Sequence, residues 1–136
     1  MTDSDTLDQL MTRKVVTVEP SDSVKKALQI MVEKDIGNVI VVEKGKPVGV
    51  LTERDTIRKC VQGKDILGTK VEDLMSSPLT TAPPKMNAFE ALETMRKNKI
   101  RRLPVVENGK LLGIVTEKDL IYWVIKVGYA PYPPPY

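Results

Sequence analysis

The chain has 136 residues, a formal net charge of +3 and a single cysteine. Its length fits one domain, and 41% hydrophobic with 29% charged residues is typical of a soluble globular protein. The small net charge argues against a nucleic-acid-binding protein. No apolar run approaches the length of a membrane span, and the acidic start MTDSDTLDQL lacks the layout of a signal peptide. Together with the lone Cys60, these features predict a cytoplasmic protein without an internal disulfide.

The sequence contains no histidine. This removes the commonest general base and the commonest metal ligand. With only one cysteine present, a zinc site or a Cys/His nucleophile is also disfavoured. We therefore expect a protein that is not an enzyme, with no metal site and no required cofactor.

The first half is predicted to fold as β-α-β-β-α. An extended piece at residues 15–18 is ended by Pro20. Ser21 or Ser23 can cap a helix whose apolar residues follow the i, i+3, i+4, i+7 pattern. A hairpin follows, with strands at residues 38–43 and 47–51 around the turn Lys44-Gly45. The closing helix starts near Thr52.

The second half repeats this order. Residues 10–57 align with residues 74–121 at a constant offset of 64, and 18 of the 48 pairs are identical. The second copy has an extended piece at 79–82, a helix capped by Asn87, and the strong hairpin turn Asn108-Gly109. Its closing helix starts near Thr116.

The repeat sets the predicted domain organisation. A unit this short cannot build a full core alone, so we expect the copies to pack on each other. We assign residues 1–68 to the first copy with its N-terminal segment and residues 69–127 to the second. The tail at 128–136, GYAPYPPPY, is predicted to be extended polyproline II. The tail can be a flexible end, a segment that packs on its own dimer, or a segment that docks a partner.

Each copy ends in a threonine and an aspartate three residues apart, at a strand-to-helix junction. These are Thr52 with Asp55, and Thr116 with Asp119. Residues three apart share one face of the first helical turn. The carboxylate can accept two hydrogen bonds from a ribose diol, and the helix start favours an anion such as phosphate. The alternative interpretation is that the threonine only caps the helix and the aspartate is only a favourable first-turn charge.

Charge distinguishes the two copies. Arg101 and Arg102 precede the middle strand of the second copy, where the first copy has Gly37 and Asn38. Two adjacent guanidinium groups can form a fork for phosphate. The alternative is a solvated basic loop.

The doubled pattern resembles a known family. GVLTERD and GIVTEKD close the copies, and KIRRLPVV opens one hairpin. This arrangement is similar to a stand-alone cystathionine-β-synthase (CBS) domain pair, the Bateman module, over about residues 7–127. The resemblance implies an α/β (α+β) fold of two βαββα repeats packed through their sheets with pseudo-twofold symmetry. It also implies binding of AMP, ADP, ATP or S-adenosylmethionine in two clefts.

The resemblance also implies roles for individual residues. Asp55 and Asp119 correspond to the family's ribose-binding aspartates, with Thr52 and Thr116 beside them. Family clefts mix the two copies, so Arg101, Arg102 and Lys118 would face phosphates in the Asp55 cleft. Arg54 would serve the Asp119 cleft, where Gly37 and Asn38 leave phosphate binding open. The adenine pocket would be lined by Val16, Thr17, Thr80, Thr81, Val39, Ile40 and Pro104.

We expect a non-catalytic regulatory module that binds an adenosyl ligand and acts on an unidentified protein in trans. The alternative is an interaction or oligomerisation scaffold with non-functional clefts. The final helix is apolar around much of its circumference, from Leu120 to Val127, which predicts a homodimer through this helix. We expect no membrane association.

Overall fold

The computed structural model describes residues 5–127, so the predicted polyproline II tail lies outside the described residues. The described elements follow the predicted order except for the first strand of the second copy, with a short helix ahead of the first copy and a 3-10 turn at Val71–Asp73 ahead of the second. The first copy contains β1 (Thr17–Val18), α2 (Val24–Lys34), β2 (Asn38–Glu43), β3 (Lys46–Thr52) and α3 (Glu53–Val61), preceded by α1 (Leu7–Leu10). The second contains α4 (Ala88–Asn98), β4 (Arg102–Glu107), β5 (Lys110–Thr116) and α5 (Glu117–Lys126). The predicted α/β class is therefore confirmed.

The predicted helix starts and hairpin turns are also confirmed. Ser23 caps α2 by accepting a hydrogen bond from the Lys26 N–H at 3.0 Å, and Asn87 caps α4 in the same way. Lys44 and Asn108 have φ of 52° and 53°, and each is followed by a glycine with positive φ. Two successive positive φ angles are what a tight two-residue hairpin requires.

The chain divides into two compact units. The first-repeat unit consists of Lys14–Leu79 with the hairpin tip Asn108–Leu111. The second-repeat unit consists of the described residues up to Arg13, Thr80–Glu107, and the described residues from Leu112 onward. The boundaries of these units differ from the predicted division at residues 1–68 and 69–127. The described residues up to Arg13 lie in the second-repeat unit, and residues 69–79 lie in the first-repeat unit.

The first-repeat unit contains a three-stranded sheet in the order β1-β2-β3. β1 runs parallel to β2, with Thr17 opposite Ile40, and β2 runs antiparallel to β3. Only Thr17–Val18 of the predicted piece 15–18 is strand, although the Ile40 N–H also donates to the Val16 carbonyl at 3.2 Å. The buried core of this unit consists of Val18, Val24, Ala27, Met31, Val39, Val41, Leu51, Val71 and Leu74.

The second-repeat unit contains a two-stranded sheet of β4 and β5. The predicted strand at 79–82 is not formed: Ala82 makes only an isolated parallel bridge to Val105. Proline residues follow Ala82 immediately, so the next N–H donors of a ladder are missing. The buried core of this unit consists of Leu7, Ala82, Ala88, Ala91, Met95, Leu103, Val105, Val115, Leu120 and Trp123.

The segment ahead of each copy pairs with the returning strand of the other copy's hairpin. Thr12 exchanges two backbone hydrogen bonds of 2.9 Å with Ile114 of β5. At the equivalent positions, Ser76 exchanges bonds of 2.9 and 3.1 Å with Val50 of β3. Each hairpin is therefore completed by backbone from outside its own repeat.

Side chains hold the N-terminal segment in the second-repeat unit. Leu7 is fully buried in the core, and the Trp123 indole N–H donates to Asp5 at 3.1 Å. Lys85 Nζ donates to Asp8 Oδ2 at 2.9 Å. This ion pair, together with the Thr6 hydroxyl, lowers the pKa of Asp8, and it raises the pKa of Lys85.

The pairing requires the glycine that opens each closing motif, GVLTERD in the first copy and GIVTEKD in the second. A Cβ on Gly49 would lie 2.7 Å from Met75 Sδ and 2.8 Å from the Ser76 carbonyl oxygen. A Cβ on Gly113 would lie 2.6 Å from Met11 Sδ in the same arrangement. The absence of a side chain therefore lets the incoming segment approach the strand.

Substituting Gly49 by alanine should destabilise the first-repeat unit. The new methyl group overlaps backbone, which cannot move aside as a flexible side chain can, and such overpacking costs about 1–3 kcal/mol. Chemical denaturation should show this as a lower unfolding midpoint. Gly37→Ala is the matched control, because its Cβ would meet only the flexible Glu53 carboxylate, at 3.4 Å. Equal midpoints for the two variants would contradict the assigned role of Gly49.

Candidate functional site

The first candidate site residue, Thr52, is the N-cap of α3. Its hydroxyl accepts a hydrogen bond from the Asp55 N–H at 3.1 Å. The Glu53 N–H of the same turn donates to the Gly37 carbonyl at 3.0 Å, which fixes the start of the helix against the start of β2. Thr52 therefore performs the capping role that the alternative interpretation assigned to it. Its hydroxyl proton is not used by this cap.

The Asp55 carboxylate contacts a residue outside its own helix turn. Asp55 is half-buried, and its Oδ2 accepts a long hydrogen bond of 3.4 Å from the exposed hydroxyl of Ser76. Ser76 belongs to the segment that pairs with β3. A carboxylate held by so weak a contact can exchange that partner for a stronger donor, because charge-assisted bonds are normally 2.5–2.7 Å long for an O–H donor.

The second candidate pair, Thr116 and Asp119, forms a reciprocal capping box. The Asp119 N–H donates to Thr116 Oγ1 at 3.1 Å, and the Thr116 N–H donates to Asp119 Oδ2 at 3.0 Å. Both bonds lie within the first turn of α5. The two aspartates at equivalent sequence positions therefore have different hydrogen-bond partners.

The other candidate residues of the first-repeat unit lie on its sheet and on α3. Val16 is half-buried, Thr17 is exposed, and Thr17 lies opposite the buried Ile40. Val39 is fully buried within the core, so neither its side chain nor its backbone is exposed. Arg54 is exposed on the first turn of α3.

In the second-repeat unit, Arg101 lies against the start of α5. Its carbonyl accepts a hydrogen bond of 2.8 Å from the Glu117 N–H. Arg101 is exposed and Arg102 half-buried. The remaining candidates of this unit differ in exposure: Thr80 is half-buried, Thr81 and Lys118 are exposed, and Pro104 is buried. The expected assignment of these residues to particular clefts stays a prediction.

Sequence reasoning missed Ser76. The signal that could have found it is the match of Met11-Thr12 with Met75-Ser76 at the repeat offset, which keeps a hydroxyl at both positions. The match lies ahead of the predicted strands, in a stretch with no periodic pattern. The Ser76 hydroxyl lies near the start of α3 because the segment ahead of the second copy pairs with β3 of the first copy.

Within residues 5–127 no cluster of three or more His, Cys, Asp or Glu side chains is arranged to hold a metal ion. Across the same residues no helix has the length and apolar character needed to cross a membrane.

The sequence matches the CBS domain family over residues 7–61 and 71–126, so two copies cover most of the chain. The chain belongs to the CBS domain family and contains a tandem pair of these domains, as the resemblance predicted. CBS pairs are regulatory modules.

The relatives agree with this assignment. The CBS domain-containing protein YhcV of Bacillus subtilis is 39% identical over 111 residues, which cover 81% of this chain and 79% of YhcV. An uncharacterised protein of Methanopyrus kandleri is 42% identical over 112 residues, but the chain spans only 57% of its length. An inosine-5'-monophosphate dehydrogenase of Korarchaeum cryptofilum is 37% identical over 23% of its own length.

Solved structures share the fold. The crystal structure of a CBS domain named NE2398 superposes with a TM-score of 0.82 at 31% identity, covering 88% of this chain and 97% of that one. The CBS domain pair of the protein MJ0100, in complex with 5'-methylthioadenosine and S-adenosyl-L-methionine, has a TM-score of 0.79 at 24% identity. It covers 87% of this chain and 98% of that one.

Proposed function

We propose that this CBS pair is a non-catalytic regulatory module that binds an adenosyl ligand, namely AMP, ADP, ATP or S-adenosylmethionine. The observation that carries the proposal is the half-buried Asp55 carboxylate at the start of α3, whose described side-chain partner is a hydroxyl 3.4 Å away. A ribose presents two adjacent hydroxyl donors, which suit the two oxygens of one carboxylate. Adenosyl compounds in the complex of the MJ0100 pair support the same ligand class.

We propose that the pair acts on a separate protein in trans, in the cytoplasm, as a homodimer. Ligand binding would shift the population of module conformations, and the partner would respond to that shift.

The second candidate function is an interaction scaffold with non-functional clefts. The exposed apolar residues of α5 favour it, since Tyr122 and Ile125 are 67% and 72% exposed. An enzyme is the third interpretation, and it is disfavoured because the sequence contains no histidine to serve as a general base. A hydrolysis assay with adenine nucleotides tests that reading.

Thermal unfolding with each of the four adenosyl ligands distinguishes the first two functions. A ligand that binds only the native state stabilises it by about 2.7 kcal/mol at a concentration of one hundred times Kd. We expect at least one of the four ligands to raise the melting temperature, with 2′-deoxyadenosine monophosphate, which lacks the vicinal diol, as the control. A scaffold with vestigial clefts predicts no change with any of them.

The arginine pair is proposed to contact phosphate. If so, the double change Arg101→Ala with Arg102→Ala should weaken ATP or ADP binding by at least about tenfold, with little effect on adenosine. The salt dependence of nucleotide binding should also flatten, because screened charge pairs are lost. Calorimetric titration at two salt concentrations measures both effects. Equal losses for ATP and adenosine, or none for either, would favour the solvated-loop interpretation.

A further inference from the structure

The N-terminal strap, residues 5–13, contacts the chain on both sides of the start of α5. Ahead of the helix start, Thr12 exchanges two backbone hydrogen bonds of 2.9 Å with Ile114, in the strand that leads directly into the helix. Beyond the helix start, α1 packs against α5, and the Asp5 carboxylate accepts from Trp123 Nε1 at 3.1 Å. The first turn of α5 is therefore flanked by two contacts of one segment.

Two polar side-chain contacts fasten the strap to its unit. One is the bond between Asp5 and Trp123, whose buried indole needs an acceptor for its N–H. The other is the ion pair of Asp8 with Lys85 at 2.9 Å, in which the lysine side chain is 79% exposed. An exposed ion pair contributes little to stability, so we expect the indole bond to be the stronger fastening.

The backbone of the strap is docked in the same way as residues 69–77 in the first-repeat unit. The Leu7 N–H donates to the Met86 carbonyl at 2.9 Å, and the matching bond of the other segment, between residues 71 and 22, is 2.8 Å long. The apolar anchor is also repeated, because Leu7 and Val71 are both fully buried. Backbone and anchor therefore do not distinguish the two segments.

The side-chain fastening is not repeated in the described part of the first-repeat unit. Lys59 stands where α5 has its tryptophan, and Thr69 stands where the strap has its first aspartate. The Thr69 hydroxyl donates instead to the Asp65 carbonyl at 2.7 Å. Ser21 stands where the second copy has Lys85. Duplication of the repeat alone therefore does not explain the two fastening contacts.

The first turn of α5 can respond to the strap because its own bonds are local. Thr116 and Asp119 hold it through reciprocal bonds of 3.0 and 3.1 Å. The Glu117 N–H fixes the turn to the residue ahead of β4, with a bond of 2.8 Å. The strap adds the contacts through Ile114 and Trp123, so its opening should loosen the turn.

We infer that the N-terminal strap is a conformational switch for α5: when docked it holds the first turn of this helix, and when released it frees that turn. The inference goes beyond the proposed function, because it concerns the protein without ligand. It bears on two surfaces, since α5 has a candidate site at its start and the exposed apolar residues Tyr122 and Ile125 further along. Local opening of one segment changes the stability of the elements packed against it, so docking of the strap would regulate both surfaces.

Amide hydrogen exchange of the full chain without ligand tests the switch, with Asp5→Ala as the main variant. Loss of the bond from the buried indole to a charged acceptor should speed exchange of the Leu7 and Thr12 amides by at least about tenfold. The Thr116 and Asp119 amides should speed up by a similar factor, because the turn opens together with the strap.

A matched pair of lysine variants tests the weaker fastening. Lys85→Ala should speed exchange of the strap amides by up to about fivefold, the range of an exposed ion pair. Lys26→Ala is the control, because it removes the ion pair with Asp22 in the first-repeat unit, whose aspartate is 18% exposed like that of the strap pair. It should leave the strap amides unchanged. Asp5→Asn keeps an oxygen acceptor for the indole and should return most of the protection.

One amide of the same unit separates release of the strap from general damage. The Val106 N–H donates to the Ala82 carbonyl at 2.9 Å, on the edge of the sheet opposite Thr12. Its exchange rate in Asp5→Ala should equal that of the wild-type protein. The single tryptophan gives a second readout, because its emission should shift to longer wavelength when release of the strap hydrates the indole.

Three outcomes would overturn the switch. Unchanged exchange of Leu7 and Thr12 in Asp5→Ala would refute the fastening. Faster strap amides with wild-type rates at Thr116 and Asp119 would refute control of α5. Acceleration that includes Val106 to the same degree would show that the whole unit is destabilised. None of these measurements uses a ligand, so failure of adenosyl binding would leave the result on the strap unaffected.

Discussion

A fragment of residues 14–79 should be more stable than a fragment of residues 1–68, although neither contains the other copy. The first fragment contains every buried residue of the first-repeat core, including Val71 and Leu74 from the segment ahead of the second copy. The second fragment lacks Val71 and Leu74 and also exposes Leu7, whose core lies in the other unit. Burial of each such side chain contributes about 1.5–3 kcal/mol, which is a large share of the stability of a domain this small.

Circular dichroism with thermal unfolding measures this difference. We expect more residual helix and a higher unfolding midpoint for residues 14–79 than for residues 1–68. The fragment of residues 14–68 is the control, because it removes the paired segment without adding the N-terminal one. An unfolding midpoint of residues 1–68 equal to or above that of residues 14–79 would contradict the pairing of residues 69–79 with the first hairpin.

The protein should be a dimer at micromolar concentration, and Ile121→Glu with Ile125→Glu should make it monomeric. These side chains on α5 are 48% and 72% exposed, and their equivalents on α3, Ile57 and Val61, are 61% and 82% exposed. An apolar pair repeated at the same place in both closing helices indicates an interface. Burying an unpaired carboxylate there should raise the dimer dissociation constant by at least about a hundredfold.

Sedimentation equilibrium distinguishes the variants. Val32→Glu is the matched control, since Val32 is an 80% exposed apolar residue on α2, outside the predicted interface. It should leave the dimer intact. A wild-type protein that sediments as a monomer, or a double variant that remains dimeric, would refute an interface through α5.

The order of elements was predictable because each depends on local chemistry. Residue type and position predict four helix caps, and each of them accepts a backbone hydrogen bond as expected. These caps are Ser23, Thr52, Asn87 and Thr116. The Asn108-Gly109 turn likewise follows from residues that tolerate positive φ. Because the two copies align at a constant offset, an element predicted in one copy is also predicted at the matching position of the other.

The pairing of the segment ahead of each copy with the hairpin of the other copy was not predictable in the same way. The pairing of Thr12 with Ile114 joins residues about a hundred positions apart, and nothing in the local pattern specifies it. The glycine at position 113 marks a close backbone approach but does not identify the segment that approaches. The assignment of residues 1–68 to one copy followed sequence similarity, whereas the compact units follow long-range pairing.

The residue types of the candidate site were predictable, but the hydrogen-bond partners of its two carboxylates were not. Sequence places a carboxylate at both helix starts, and the capping and ligand-binding interpretations require the same two residues. Only the side-chain direction separates Asp55, which meets Ser76, from Asp119, which caps α5. That direction depends on which donors surround the carboxylate in the folded protein.

The most direct test of the central claim is calorimetric titration of the wild-type protein and Asp55→Ala with AMP, ADP, ATP and S-adenosylmethionine under one set of conditions. We expect saturable binding of at least one of these adenosyl ligands by the wild-type protein, and an affinity at least about tenfold lower in Asp55→Ala. Absence of saturable heat with all four ligands, or an unchanged affinity in the variant, would contradict adenosyl binding through the Thr52–Asp55 turn.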